Sequence, residues 1–198
     1  IGTVLLCVGA SNASAVVIST TNTAQFNLTL ETFPGGVSAP FSNAPVTSIS
    51  GNITVDNADF LPATGSAKFT ENFAALSGLE YIISGDENFD LRFSSQQNAF
   101  AMNYLDDADV STFSLNFFDG LTNVGSTSFV TASIDTAEFI GFISTVAFDR
   151  VEVREISGGL TNEAFQFYSA EAVPEPGSLA IFGLGLVGVG YMRRRKIV

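Results

Sequence analysis

The sequence contains no histidine and no tryptophan, and its single cysteine is Cys7. Without histidine there is no Ser-His-Asp or Cys-His catalysis and no imidazole ligand for a metal. One cysteine makes neither an intramolecular disulfide nor a zinc cluster. Positive charge is scarce as well. Eight Lys and Arg stand against 20 Asp and Glu, a formal net charge of −12. That balance argues against nucleic-acid binding, where phosphate contacts need clustered bases. What is abundant is phenylalanine, 19 in 198 residues, in a chain long enough for one domain with a sizeable core.

The two ends differ from the middle. Residues 3–10 form a short apolar run, and Ala13-Ser14-Ala15 follows as a small-x-small site. This pattern reads as the later part of a secretory signal peptide over residues 1–15, with cleavage set by Ala13 and Ala15. At the other end Val173-Pro174-Glu175-Pro176 refuses helix and sets an extended hinge. An uncharged run over 177–192 comes next, followed by Arg193, Arg194, Arg195 and Lys196. As a helix that run spans roughly 24 Å at ~1.5 Å per residue. Snorkelling bases extend its reach toward a ~30 Å hydrocarbon core. A single transmembrane helix is therefore expected, with the basic cluster stopping transfer on the cytoplasmic side.

In order, spacing and position, this end resembles the PEP-CTERM sorting signal of Gram-negative bacteria. The residues that carry the likeness are Pro174, Glu175 and Pro176, the Gly-rich span, and Arg193 to Lys196. The resemblance implies an exported protein held in the inner membrane until an exosortase, a membrane enzyme, cuts near the motif. It implies a cell-surface or extracellular-matrix destination and an association with biofilm and exopolysaccharide. Two other motifs lack the context that would give them meaning. Gly183-Leu184-Gly185-Leu186-Val187-Gly188 has the glycines of a dinucleotide loop but no preceding strand or βαβ unit, and small residues in a membrane span account for it. Leu61-Pro62-Ala63-Thr64-Gly65 matches a sortase pentapeptide, yet sits mid-chain with no span after it.

Residues 16–172 read as the folded ectodomain. They hold only four bases, Lys68, Arg92, Arg150 and Arg154, beside nearly all the acids and phenylalanines. Period-2 alternation dominates, at 89–94, 113–117, 151–154 and 165–167, less cleanly at 99–106. Further strands are expected at 26–30, 128–133 and 138–146, with one more inside 48–60. Segments 89–94 and 99–106 read as a hairpin. One helix is expected over 67–76, where Phe69, Phe73 and Leu76 fall at i, i+4 and i+7. The spacing predicts an all-β fold, a β-sandwich of jelly-roll type. The succession FDLRFSSQQNAFAMNYLD, TFSLNFFDG, EFIGFISTVAFDRVEVRE and EAFQFYSAEAVPEP also resembles the β-sandwich ectodomains found ahead of this sorting tag. The likeness rests on Phe100, Gly141, Phe142, Phe148, Val151, Val153, Phe165 and Phe167. Many relatives place an Asp on the last strand; here it reads Glu163-Ala164-Phe165-Gln166.

Chemistry has few places to reside. Asp86, Asn88 and Asp90 put oxygens at the first, third and fifth positions of a calcium loop, but Leu91 and Gln97 stand where the EF-hand needs Gly and Glu. For these residues, and for Asp106, Asp107 and Asp109, solvated turn acids are the expectation, with a single irregular Ca²⁺ site as the alternative; no other cofactor is expected. Carboxylates are too many to single out a glycosidase pair. Lys68 lacks the S-x-x-K spacing of a Ser-Lys dyad. The expectation is a non-enzymatic envelope or matrix protein, with an exopolysaccharide-binding module as the alternative. Tyr81, Tyr104 and Tyr168 are the candidate aromatic contacts for a sugar. Sequons at Asn27 and Asn52 carry little meaning in a bacterial host.

Overall fold

The computed structural model describes residues 16–35, 42, 44–56, 66–71, 75–76, 78–84, 88–106, 110–131, 135–157 and 163–173. Among them lie β1 (Val17–Thr20), β2 (Phe26–Leu30), β3 (Val46–Thr47), β4 (Ile53–Asp56), β5 (Ser66–Thr70), β6 (Glu80–Ser84), β7 (Phe89–Asp106), β8 (Thr112–Asp119), β9 (Thr122–Val130), β10 (Glu138–Ser157) and β11 (Glu163–Ala172). Every pairing is antiparallel, and all join one sheet. The fold is all-β, as the alternation predicts.

The sheet folds over on itself because its two longest strands, β7 and β10, bend together. Ile143 pairs with Ala99 and Phe148 with Gln97, so four residues of β10, 144–147, stand against Asn98 alone. The excess then reverses: Arg150 pairs with Arg92, and residues 93–96 stand against Asp149. Paired bulges of this kind turn a strand from one layer into the other. The early half of β7 lies between β4 and the late half of β10. Its late half lies between the early half of β10 and β11.

The two halves face each other across a phenylalanine core. Phe89 of the first half meets Phe165 of the second at 5.0 Å, Phe113 meets Phe165 at 5.7 Å, and Phe117 meets Phe142 at 5.9 Å. Phe89, Phe100, Phe113, Phe117, Phe142, Phe148 and Phe165 are fully buried. Edge and offset ring contacts add to the burial energy of such a core. A smaller apolar cluster covers the outer face of the second half. There the Phe26 ring lies on the backbone of Gly141, where a Cβ would meet it at 2.3 Å.

Two expectations are corrected. Residues 66–70 form strand β5, not the start of a helix: Ala67 pairs with Ile83 and Phe69 with Tyr81. Ala67 and Phe69 share the buried face at period 2, and Phe69 stacks on Phe33 at 4.1 Å. Long-range pairing overrides the helical spacing; Phe73, on which that spacing depended, lies outside the described residues. Segments 89–94 and 99–106 are not a hairpin but one strand of 18 residues. Its polar middle, Ser94 to Asn98, is exposed apart from half-buried Gln97, because the strand crosses the crease there. The polar run marks exposure, not a turn.

Candidate functional site

The inner face of β11 changes character along its length. Phe165 and Phe167 point into the core, and Ser169 and Glu171 follow on the same face. Beside them β2 places Thr29 opposite Ser169 and Asn27 opposite Glu171. The inner face therefore turns from apolar to polar toward this end of the strand. A groove of about 330 Å³ forms along the crease. Asn27, Thr29, Ser169, Ala170 and Glu171 line one wall; Asn52, Phe93 and Gln97 line the other. Phe93 is half-buried, its ring edge-on to Phe100 and Phe148 at 5.8 and 5.6 Å. The Ser94 amide donates to the Asn52 carbonyl at 3.0 Å, tying the second wall together.

Glu31 braces the groove from beneath. It is buried, and its backbone amide donates to the Phe167 carbonyl at 2.9 Å. Its carboxylate accepts hydrogen bonds from the Ser50 and Ser169 hydroxyls and, at 3.0 Å, from the Asn52 amide. Burial opposes its ionisation, but hydrogen bonds from Ser169, Ser50, Asn52 and Ser48 outweigh burial and hold the carboxyl below its ordinary 4.5. A carboxyl so held is an acceptor and a brace, and makes a poor proton donor near neutral pH.

The candidate calcium residues fall at opposite ends of β7. Asp90 lies among arginines: Arg154 at 2.7 Å, Arg150 at 3.2 Å and Arg92 at 3.6 Å. Arg150 also contacts Glu152 at 2.5 Å and stands over the Phe118 ring at 4.1 Å. Asn88 accepts from the Glu155 amide at 3.1 Å. With its carboxylate committed to guanidinium groups, Asp90 does not fit a calcium site. Asp106 is buried at the far end of the strand and accepts from the Ser111 amide at 3.1 Å and the Thr131 hydroxyl at 2.7 Å. Its cross-strand partner Glu163 is also buried and accepts from the Ser111 hydroxyl at 3.1 Å. Among the described residues no group of three or more His, Cys, Asp or Glu is arranged to hold a metal. Asp86, Asp107 and Asp109 lie outside the described residues.

The tyrosines divide. Tyr81 and Tyr104 are core residues rather than surface contacts, which corrects the expectation for both. Burial, and for Tyr104 a 2.8 Å hydrogen bond to Glu138, pushes both hydroxyls well above the ordinary phenol range. Tyr168 does point away from Phe165 and Phe167. It is half-buried against Phe139, and its hydroxyl accepts from Asn103 at 2.7 Å. Asn27 and Asn52 face the groove, and the sequence offered no reason to join them. The legible signal was the switch from Phe to Ser and Glu along β11.

The final strand also fixes where the chain leaves the fold. The Val173 amide donates to the Gln25 carbonyl at 2.8 Å, and Pro174 follows at once. No spacer separates the sheet from the Pro-Glu-Pro segment. Among the described residues no helix is long and apolar enough to cross a membrane; the expected span at 177–192, the basic cluster 193–196, Ala13 and Ala15 all lie outside them.

The antiparallel β-domain passes through its last strand directly into the C-terminal Pro-Glu-Pro segment of the sequence. The family model described as the PEP-CTERM protein-sorting motif matches residues 172–196, so the chain carries that motif at its C-terminal end, which supports reading it as an exosortase substrate. The motif implies export, membrane anchoring and exosortase processing. No curated protein matches the chain. Among solved structures the chain is similar to the enzymatically active domain of bacteriophage CBA120 tailspike protein 4, at 14% identity and a TM-score of 0.36. The similarity covers 76% of this chain and 20% of that one, and is too remote to bear on fold or activity.

Proposed function

We propose that the protein is a non-enzymatic component of the cell envelope or biofilm matrix, with a jelly-roll-like β-sandwich ectodomain delivered by the exosortase route. The observation that carries the reading is the direct passage from β11 into the motif matched at 172–196. The ectodomain is the cargo. Pro174, Glu175 and Pro176 present an extended segment to the enzyme. The run at 177–192 holds the chain in the inner membrane as a single helix, and Arg193 to Lys196 stop transfer. Residues 1–15 act as the export signal, cleaved after Ala15. The test is Glu175→Ala in the host. Membrane-bound precursor should accumulate, with loss from the extracellular fraction; unchanged processing would remove Glu175 from this role.

A second reading is an exopolysaccharide-binding module. The crease groove favours it, since amides, hydroxyls, a carboxylate and an aromatic ring converge there. Retention of the detergent-solubilised full chain on the host's own exopolysaccharide tests it, in Ca²⁺ and in EDTA. Loss in EDTA alone would support a calcium-dependent module, and no retention in either buffer would return the protein to a structural matrix role.

A further inference from the structure

We infer that the crease groove is a subsite for an uncharged glycan, contacted by Asn27, Thr29, Asn52, Gln97 and Glu171 with Phe93 in its wall, and that it rejects polyuronates. The inference rests on the glycan-binding reading and names its site and ligand class.

The polar groups are of the kind that sugar hydroxyls need. Amide side chains both donate and accept, and a carboxylate accepts from paired hydroxyls. Asn27, Thr29 and Glu171 are exposed and can exchange water for ligand, while the exposed Asn52 is held by its amide's hydrogen bond to Glu31. Gln97 donates to Ser95 through its amide nitrogen, which fixes the side chain in place. Phe93 supplies an apolar surface for the C–H face of a pyranose ring. At about 330 Å³ the groove lies at the small end of ligand pockets, with room for on the order of one or two rings.

Charge sets the class. Among the described lining residues none is basic, Glu171 stands in the wall, and the buried Glu31 lies behind Ser169 and Asn52. The arginines of the ectodomain are drawn to Asp90 instead. A uronate entering the groove would meet like charge, with no base among the described lining residues to offset it.

The experiment is retention of the full chain in detergent on immobilised laminarin, a neutral glucan, and on alginate, a polyuronate. Laminarin should be retained and alginate not, in low salt and in high salt. Asn27→Ala and Gln97→Ala should each weaken laminarin retention by roughly three- to tenfold, with melting temperatures unchanged. Glu171→Lys should bring alginate retention up. Laminarin retention that none of these variants alters would overturn the site while leaving the glycan reading standing. Wild-type retention of alginate above laminarin would overturn the ligand class. Failure of the wild type on laminarin, on alginate and on the host's own exopolysaccharide would overturn both readings together.

Discussion

Three of the four bases in residues 16–172 converge on one carboxylate, Asp90. The cluster is half open to solvent at Arg92 but nearly closed at Asp90 itself. Asp90→Asn keeps the shape and removes the charge, leaving three guanidinium groups crowded around a neutral amide. We expect a loss of about 2 kcal/mol in urea unfolding. A loss below about 0.5 kcal/mol would mean that solvent already screens the cluster. Gly141 makes a second prediction. A methyl there must displace the Phe26 ring, so Gly141→Ala should cost about 1–3 kcal/mol. In a Phe26→Ala background the same change should cost almost nothing, which a double-mutant cycle reads directly. Glu31 makes a third. Its folded carboxyl ionises below 4.5, so its contribution is fully present above that pH and is lost as pH falls below it toward the folded value. Glu31→Gln should flatten the stability profile in that window, and an unaltered acid limb would contradict the brace assigned to this residue.

The strands show what alternation can and cannot reveal. Phe113, Leu115 and Phe117 alternate with Ser114 and Asn116, and β8 lies where that pattern puts it. The segment 26–30 coincides with β2 for the same reason. Strand β5 was not legible, because Ala67 and Phe69 suit either period and only pairing with β6 decides between them. The continuity of β7 was hidden by Ser94 to Asn98, whose polarity comes from crossing the crease. That continuity is testable. Deleting Ala101 would throw Phe100 and Met102 out of register with their core partners and should abolish cooperative unfolding. Inserting one residue after Ser95, where pairing is already interrupted, should cost far less; equal damage from both would contradict the bend described here.

At the scale of the whole molecule, the address and the cargo were legible to different degrees. Pro174 to Pro176, the uncharged run and the terminal bases could be recognised because their order along the chain is itself the signal. The groove could not, because β2, β4, β7 and β11 bring Asn27, Asn52, Phe93, Gln97 and Glu171 together only through long-range pairing. Asp90 looked like a calcium ligand from its neighbours in sequence; its neighbours in space are arginines. The central claim is that this β-domain is cargo for exosortase processing, and the C-terminus of the extracellular protein tests it most directly. Mass spectrometry of that material should find a new C-terminus at or near residues 174–176, with the peptide carrying Arg193 to Lys196 absent. Extracellular protein that still carries the basic tail would contradict the account.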